Sequence, residues 1–353
     1  TNSSVSLINK SFAQNKSNIA FLHATPPIKG ITRALSNDNI DPLDNTTTEQ
    51  WKRRLAVIFS AFIVNNPDIR QIRYISKLNK GRELVRVERH NNQIITVPDS
   101  LLQSKQDTDY YQAILPLHIN EDYISDISLN REYGVLENPI WPTYRVARTV
   151  YDQDYQFFGF IILNIDATSL LAQMKDIFSQ SDFKFYLLNT QGYFISADSE
   201  QLTFGFDLNN PNAIWSKLAN QAEFPSDNKV NQLKFNQQPY YMYGSKLRLS
   251  LRDFRSLNII GGLSEKKLEE AWGQQSKFVF FILITLFIIV TLVTFYYQKY
   301  LNKILSLYDH QSRYEAIIAG SSDAIISVDV TGKILSWNES ATYLFGLNDE
   351  LAF

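Results

Sequence analysis

The chain has 353 residues, of which 44% are hydrophobic, 13% aromatic and 20% charged, with a net charge of -2 and a pI near 6.1. That apolar content is ample for two or three packed domains and excludes a disordered chain, while near-neutrality argues against the basic face by which proteins hold nucleic acid. The absence of cysteine removes disulfides, thiolate metal sites and cysteine nucleophiles together.

Residues 4–24 carry Ile8, Phe12, Ile19 and Leu22 at helical spacing, which predicts a long amphipathic helix ending before Pro26 and Pro27, a stalk leading away from a membrane. A second helix is announced by a capping box, Thr47 with Gln50; Trp51, Leu55, Ile58, Phe59 and Phe62 share its apolar face and Pro67 stops it. From Gln71 the period changes to two. QIRYIS, a turn at 79–81, ELVRVER, a turn at Asn91 and Asn92, and IITV predict an antiparallel meander.

After a polar stretch rich in Asp and Tyr come YISDIS, RVARTVY, a turn at 152–154 and FFGFIILNID, whose unbroken apolar run predicts a central strand. Leu170, Leu171, Met174, Ile177 and Phe178 mark a helix returning from that sheet. FKFYLLN, a turn at 190–192, YFISAD, QPYYMYGSKL and LNIIGGL predict a second sheet, with Gly261 and Gly262 ending the last strand as a turn. The same order of elements recurs, so two mixed α+β domains in tandem are expected.

From Ser264 the sequence can run as one helix to about Arg313. Within it, residues 278–297, FVFFILITLFIIVTLVTFYY, are twenty residues without charge, proline or glycine, enough to cross a bilayer. A signal peptide has a shorter, N-terminal apolar core, and a buried core helix of this length would keep a polar face. Lys299, Lys303 and Arg313 follow the span, whereas Lys266, Lys267 and Lys277 before it are mixed with Glu265, Glu269 and Glu270; the positive-inside rule therefore puts the C-terminal side in the cytoplasm. An exported domain ahead of such a span implies a further transmembrane helix or signal anchor upstream. Leu301, Ile304 and Tyr308 are spaced for a dimer seam, so a homodimer is expected, with burial against the membrane or the next domain as the alternative.

Residues 313–346 resemble the opening of a PAS domain: Asp323 to Ile326, a strand ending at Asp329, a turn at Gly332, Ile334 to Asn338 and Phe345-Gly346 match the family pattern. Asp329-Val-Thr-Gly332 reads as a hairpin turn, Asn338 as the cap of a helix from Glu339, and more than half of the PAS fold is expected beyond Phe353. Residues 15–265 resemble the double Cache, or double PDC, extracytoplasmic sensors of bacterial receptors. The marks are TPPIKGITRA (25–34), WKRRLAVIF (51–59), QIRYI with GRELVRVER (71–89), ISLNREYG (127–134), PTYRVARTVYD (142–152), FGFIILNID (158–166) and FGFDL (204–208). The resemblance implies a ligand pocket in a membrane-distal first domain, a smaller membrane-proximal second domain, and a PAS module inside the cell.

In related amino-acid receptors an Arg-x-Trp-Tyr run holds the ligand's carboxylate and a strand Asp its amine. Here Thr108 stands at the Arg position ahead of Asp109-Tyr110-Tyr111, and Asn164 stands at the Asp position, so an α-amino acid ranks low. The candidate ligand-binding residues are Arg145, Tyr111, Tyr123, Ser125, Arg131, Trp141, Tyr144 and Asn164. Arg145 leads, because a planar guanidinium fork suits a carboxylate and aromatic neighbours supply a water-poor wall. An ion pair with Glu132 or Glu137 is its structural alternative. Arg73, Arg82, Arg86 and Arg89 alternate on two strands and are expected on a solvated sheet face.

His23, His90, His118 and His310 lack ligand spacing, so no metal or cofactor is expected, and no catalytic motif or catalytic residue is recognisable. The fold class expected is α+β, a tandem PAS-like (double Cache) sensor on long helices with one transmembrane helix and the start of a PAS domain. The divisions are 1–66 helical stalk, 67–180 distal domain, 181–263 proximal domain, 264–277 juxtamembrane helix, 278–297 span, 298–313 signalling helix and 314–353 PAS. The resemblance implies the sensory half of a bacterial inner-membrane receptor, expected to bind a small anionic or polar metabolite. Residues 1–277 would be periplasmic and 298–353 cytoplasmic, and the output a histidine kinase, or alternatively a diguanylate cyclase or phosphodiesterase, with a chemoreceptor behind both.

Overall fold

The computed structural model describes residues 2–91, 93–179, 182–225, 229–250 and 254–347. They fall into two compact units, Thr1–Glu269 and Glu270–Phe353.

Three helices open the first unit: α1 (Asn2–His23), α2 (Pro26–Leu35) and α3 (Thr48–Asn65). Pro26 and Pro27 end nothing for long; they start α2, because the first turn of a helix has no use for the N–H that proline lacks. The expected capping box forms at α3, with Thr47 Oγ1 accepting from Gln50 N at 3.3 Å and Gln50 Oε1 accepting from Thr47 N at 2.9 Å. Gly30 lets α2 and α3 meet: a Cβ there would stand 2.4 Å from the Trp51 ring.

Strands β1 (Ile69–Ser76), β2 (Glu83–His90) and β3 (Gln93–Thr96) make the expected meander, with a single turn, α4 (Leu78–Gly81), between the first two. Asn92 of the second turn lies outside the described residues, as do 180–181 at the expected domain boundary. The polar stretch holds a short helix, α5 (Asp109–Ile114), and YISDIS splits into β4 (Asp122–Ile124) and β5 (Ser128–Leu129). A small hairpin, β6 (Arg131–Glu132) and β7 (Val135–Leu136), precedes β8 (Pro142–Tyr151) and β9 (Phe157–Asp166). The seven-stranded sheet runs β3-β2-β1-β9-β8-β4 with β5 also on β8, so β9 is central, as its apolar run required.

The two faces of this sheet follow the period of two. Ile72 and Tyr74 of β1, Tyr144 and Val146 of β8, and Ile161 and Leu163 of β9 pack with the helices in one core. Tyr74 meets Thr32 of α2 hydroxyl to hydroxyl at 2.9 Å, and the Tyr144 hydroxyl lies 2.8 Å from Ser11 Oγ and 2.9 Å from Asn15 Nδ2 of α1. The other face carries a smaller apolar cluster, Ile75, Tyr111, Ile114, Tyr123, Ala147, Phe160 and Ile162, and beside it a set of buried polar side chains.

Helix α6 (Thr168–Ser179) leads to the second sheet, built from β10 (Lys184–Leu188), β11 (Phe194–Ser196), β12 (Val230–Phe235), β13 (Gln238–Arg248) and β14 (Ser256–Ser264), with α7 (Trp215–Leu218) in the connection. Its order is β11-β10-β14-β13-β12. Gly261 and Gly262 do not form a turn. They lie inside β14, paired with Phe185 and Lys184 of β10 on one side and with Tyr243 and Met242 of β13 on the other, and the strand runs on because both of its edges are hydrogen-bonded. A Cβ on Gly262 would meet the Met242 side chain at 3.1 Å, a contact that asks that side chain to give by a few tenths of an ångström.

Strand β14 passes directly into α8 (Glu265–Ala319), with Ser264 Oγ accepting from Lys267 N at 3.3 Å. The helix runs past the expected end near Arg313. Its side chains from Phe278 to Tyr297 are all exposed, an apolar band roughly 30 Å long at 1.5 Å per residue. In the second unit a hairpin, β15 (Ile326–Val328) and β16 (Ile334–Trp337), is followed by α9 (Glu339–Phe345). Asp329 Oδ1 accepts from the Thr331 and Lys333 amides in the hairpin turn, where Gly332 takes a positive φ. Asn338 caps α9 as expected, accepting from Ala341 N and Ile325 N and donating to the Ile318 and Asp323 carbonyls, all at 2.9 Å. Residues 348–353 of the expected PAS segment lie outside the described residues.

Candidate ligand cavity of the sensor unit

A cavity of about 490 Å³ opens on the face of the first sheet that the long helices leave uncovered. Its floor is built by three adjacent strands. Arg145 of β8 pairs in register with Asn164 of β9, and Arg73 of β1 lies across the other edge of β9 opposite Ile162, so two arginines flank one asparagine. Both guanidinium groups lie near the ring of Tyr110 from α5, with Cζ to centroid distances of 5.7 Å for Arg73 and 5.3 Å for Arg145. Tyr123 of β4 and Ser125 stand on the wall, where Ser125 Oγ accepts from Arg145 N at 2.8 Å and donates to the Asp126 carbonyl at 2.7 Å.

The polar groups around the floor are tied into one network. Arg73 donates to Asn164 Oδ1 at 2.7 Å; Asn164 Nδ2 donates to Gln71 Oε1 at 3.1 Å and Asn130 Oδ1 at 3.3 Å; Arg145 donates to Asn130 Oδ1 at 3.1 Å. Behind Arg73, Glu83 lies at 3.5 Å, and Arg86 pairs with Glu88 at 2.5 Å and Glu132 at 3.0 Å. Burial opposes charge on Arg73, yet Tyr110, Glu83 and Glu132 outweigh it and leave the guanidinium more firmly protonated than usual. Burial also opposes ionisation of Glu132, but Arg73 and Arg86 hold its carboxyl down at about 2. Lys105, on the same wall, is pulled down to about 8 by burial and by Arg73.

Arg145 differs from its neighbours. Among the described residues no carboxylate stands within ion-pair distance of it; burial and the nearby Arg73 push its pKa down, and its Nε is buried without a hydrogen-bond partner. The alternative of an ion pair with Glu132 or Glu137 is not what forms: Glu132 pairs with Arg86, while Glu137 accepts from Asn130 Nδ2 and Trp141 Nε1, both at 2.8 Å.

The second sheet's loops complete the mouth of the cavity. Asn189, Gln191, Phe206 and Asp207 line it, Asp207 Oδ2 accepts from Leu129 N at 2.8 Å and pairs with Arg131 at 3.3 Å, and the Arg255 guanidinium lies 4.6 Å from the Tyr123 ring centroid. No group of three or more His, Asp or Glu side chains placed to hold a metal ion occurs among the described residues.

A protein-family model for the bacterial histidine kinase sensor domain matches residues 31–248, and a PAS-fold model matches residues 312–352. The chain belongs to the bacterial histidine kinase sensor-domain family. Two solved structures share the fold of the sensor domain. One is the extracellular domain of a protein described as a histidine kinase, vpHK1S-Z8, at 17% identity and a TM-score of 0.55, covering 76% of this chain and 90% of that one. The other is a domain assigned to the sensory box/GGDEF family of Vibrio parahaemolyticus, at 17% identity and a TM-score of 0.57, covering 75% and 94%. No curated protein matches the chain. Sensor domain, apolar helix and PAS segment in that order make this the sensory input portion of a membrane-anchored bacterial receptor, with its sensor domain outside the cell.

Of the residues expected at the sensor's pocket, Arg145, Tyr123 and Ser125 line the cavity, Asn164 is buried beneath it and bonded to Arg73, and Arg131 stands at the mouth, bound to Asp207. Tyr111 packs its ring on Phe160, 5.5 Å between centroids, behind the wall. Trp141 faces a neighbouring groove with Arg70 over its ring. Tyr144 is on the opposite face, bonded to α1, because it is the strand neighbour of Arg145 and adjacent side chains point to opposite sides. The expectation that Arg73 and Arg86 lie on a solvated face is corrected: they are 2% and 4% exposed and belong to the buried network. Arg73 and Tyr110 are among the cavity residues absent from the sequence-based candidates. The signal for Arg73 was its place between Ile72 and Tyr74 on a strand apolar on both faces, where a charge is either buried or absent.

Proposed function

We propose that the chain is the input half of an inner-membrane sensor histidine kinase, residues 1–277 periplasmic and 298–353 cytoplasmic, whose membrane-distal domain (67–180) binds a small anionic or polar metabolite in the Arg145 cavity. The observation that carries this reading is a guanidinium without an ion-pair partner facing a cavity of metabolite size. A charge so placed is costly unless an anion joins it, and a bound ligand supplies one. The membrane-proximal domain (181–263) forms part of the cavity mouth, so ligand can bias how the two sheets pack; α8 then carries the displacement through the span (278–297) to the signalling helix and the PAS segment. Leu301, Ile304 and Tyr308 form the seam of a homodimer. A diguanylate cyclase output is the second reading, favoured by the fold shared with the sensory box/GGDEF domain.

Thermal unfolding of the intact receptor in lipid nanodiscs, scanned against small organic acids, tests the ligand site. At about 100 times its dissociation constant a ligand adds ~2.7 kcal/mol, and Arg145→Ala is expected to abolish that gain. Stabilisation that survives in the variant refutes the site. In the same preparation a kinase labels itself from ATP, whereas a cyclase consumes GTP.

A further inference from the structure

The β6–β7 hairpin stands between two cavities. Arg131 and Gly134 line the one at Arg145, whereas Glu132 and Tyr133 line a second, of about 970 Å³, that also takes in the end of β2 and the segment 137–141. Counting His90 as neutral, the second cavity is walled by four carboxylates, Glu88, Glu132, Glu137 and Asp166, against three arginines, Arg70, Arg86 and Arg89. Arg70 pairs with Asp166 at 2.8 Å, and Arg86 pairs with both Glu88 and Glu132. Arg89 donates to the Ile63 carbonyl in the last turn of α3, an end of the helix that favours a cation. Glu137 is left without a cation in ion-pair distance among the described residues.

The carboxylate of Glu137 is fixed from behind. Its Oε2 accepts from Asn130 Nδ2 and from Trp141 Nε1, both at 2.8 Å, and Asn130 is fully buried, its own Oδ1 held by Arg145 and Asn164. Oε1 makes no hydrogen bond among the described residues. Beside it the wall is apolar, for Leu101, Tyr133 and Ile140 line the same cavity and each is more than half exposed. A half-buried carboxylate without a counter-charge is costly until a cation joins it, and an aromatic ring adds to the attraction for that cation.

We propose that this second cavity is a ligand site in its own right, taking a small ammonium compound with an apolar body, the cation at Glu137 Oε1 and the body against Leu101, Tyr133 and Ile140. An anion would add to the excess of carboxylate, and a neutral ligand would leave Glu137 unmatched. The site does not depend on what the Arg145 cavity binds.

The experiment is calorimetric titration of the intact receptor in nanodiscs of zwitterionic lipid, with empty nanodiscs as the blank, using benzylamine and butylamine and their neutral counterparts benzyl alcohol and butanol. The better amine is expected to bind at least about tenfold tighter than its alcohol, ~1.4 kcal/mol. That binding should disappear in Glu137→Gln, which keeps an oxygen for Asn130 and Trp141 and removes the charge. It should also disappear in Ile140→Lys, a change at an exposed position that supplies an ammonium on the same wall and so tests the site without disturbing the Glu137 bonds. Amine binding that persists in either variant overturns the site. An alcohol that binds as tightly as its amine, and is lost in both variants, overturns the ligand class; no binding of either amine overturns the proposal outright.

Discussion

Glu132 illustrates what single side chains contribute to the sensor. It accepts from Gln71 at 2.8 Å and from Gln103 at 3.2 Å and pairs with Arg86 at 3.0 Å, and its carboxyl is held at about 2 against an ordinary value of 4.5. A carboxylate depressed in the fold adds stability above its unfolded pKa and loses it as pH falls through the folded one. The window here is therefore about pH 4.5 down to 2, and the amount is a few kcal/mol. Glu132→Gln is expected to lower stability at pH 7 and to flatten the acid limb in that window, as read by urea unfolding at a series of pH values; an unchanged limb refutes the assignment. At this scale the sequence was partly legible. The strand positions of Arg145 and Asn164 are legible in the sequence, Asn164 also as a departure from a known pattern. Tyr144, the neighbour of Arg145 on the same strand, faces α1 instead, because sequence proximity ignores which face a residue takes. Arg73 escaped because a charge in a strand reads as solvated until its burial partners, which are distant in sequence, are brought alongside.

Among elements, the long periodic segments were legible and the short ones were not. The capping box of α3, the central place of β9 and the Asn338 cap of α9 were all written in local residue chemistry. Helix α2 was missed because a proline pair reads as a stop as readily as a start, and what decides between them is the apolar face of Ile28 and Ile31 buried under the sheet. Gly261 and Gly262 read locally as a turn because two glycines weaken any strand on their own; the two partner strands that hold them are not local information. Gly30 is a tight packing constraint between α2 and α3. Gly30→Ala would put a methyl group into the Trp51 ring, and the displaced ring would strain its Nε1 bond to Asp41 at 3.1 Å. Overpacking of this kind typically costs about 1–3 kcal/mol. Thermal unfolding of the variant should show that loss, and a change within error of zero would mean that α2 and α3 can separate freely.

For the molecule as a whole, α8 is joined to the sensor without a loop. β14 is the middle strand of the second sheet, hydrogen-bonded along both edges, and Glu265 begins the helix at the residue after its end. Such a junction has no slack to absorb a change of length or angle. The relay proposed for α8 would then depend on angular phase as well as on distance. Each residue inserted into the helix after the span turns everything downstream by about 100° and advances it by about 1.5 Å. One inserted residue near Leu301 is expected to lock or invert the output, while seven, close to two full turns, should largely restore ligand control. If output measured across a series of one to seven insertions declines smoothly with length and shows no return at seven, the helix is a tether and its phase carries nothing.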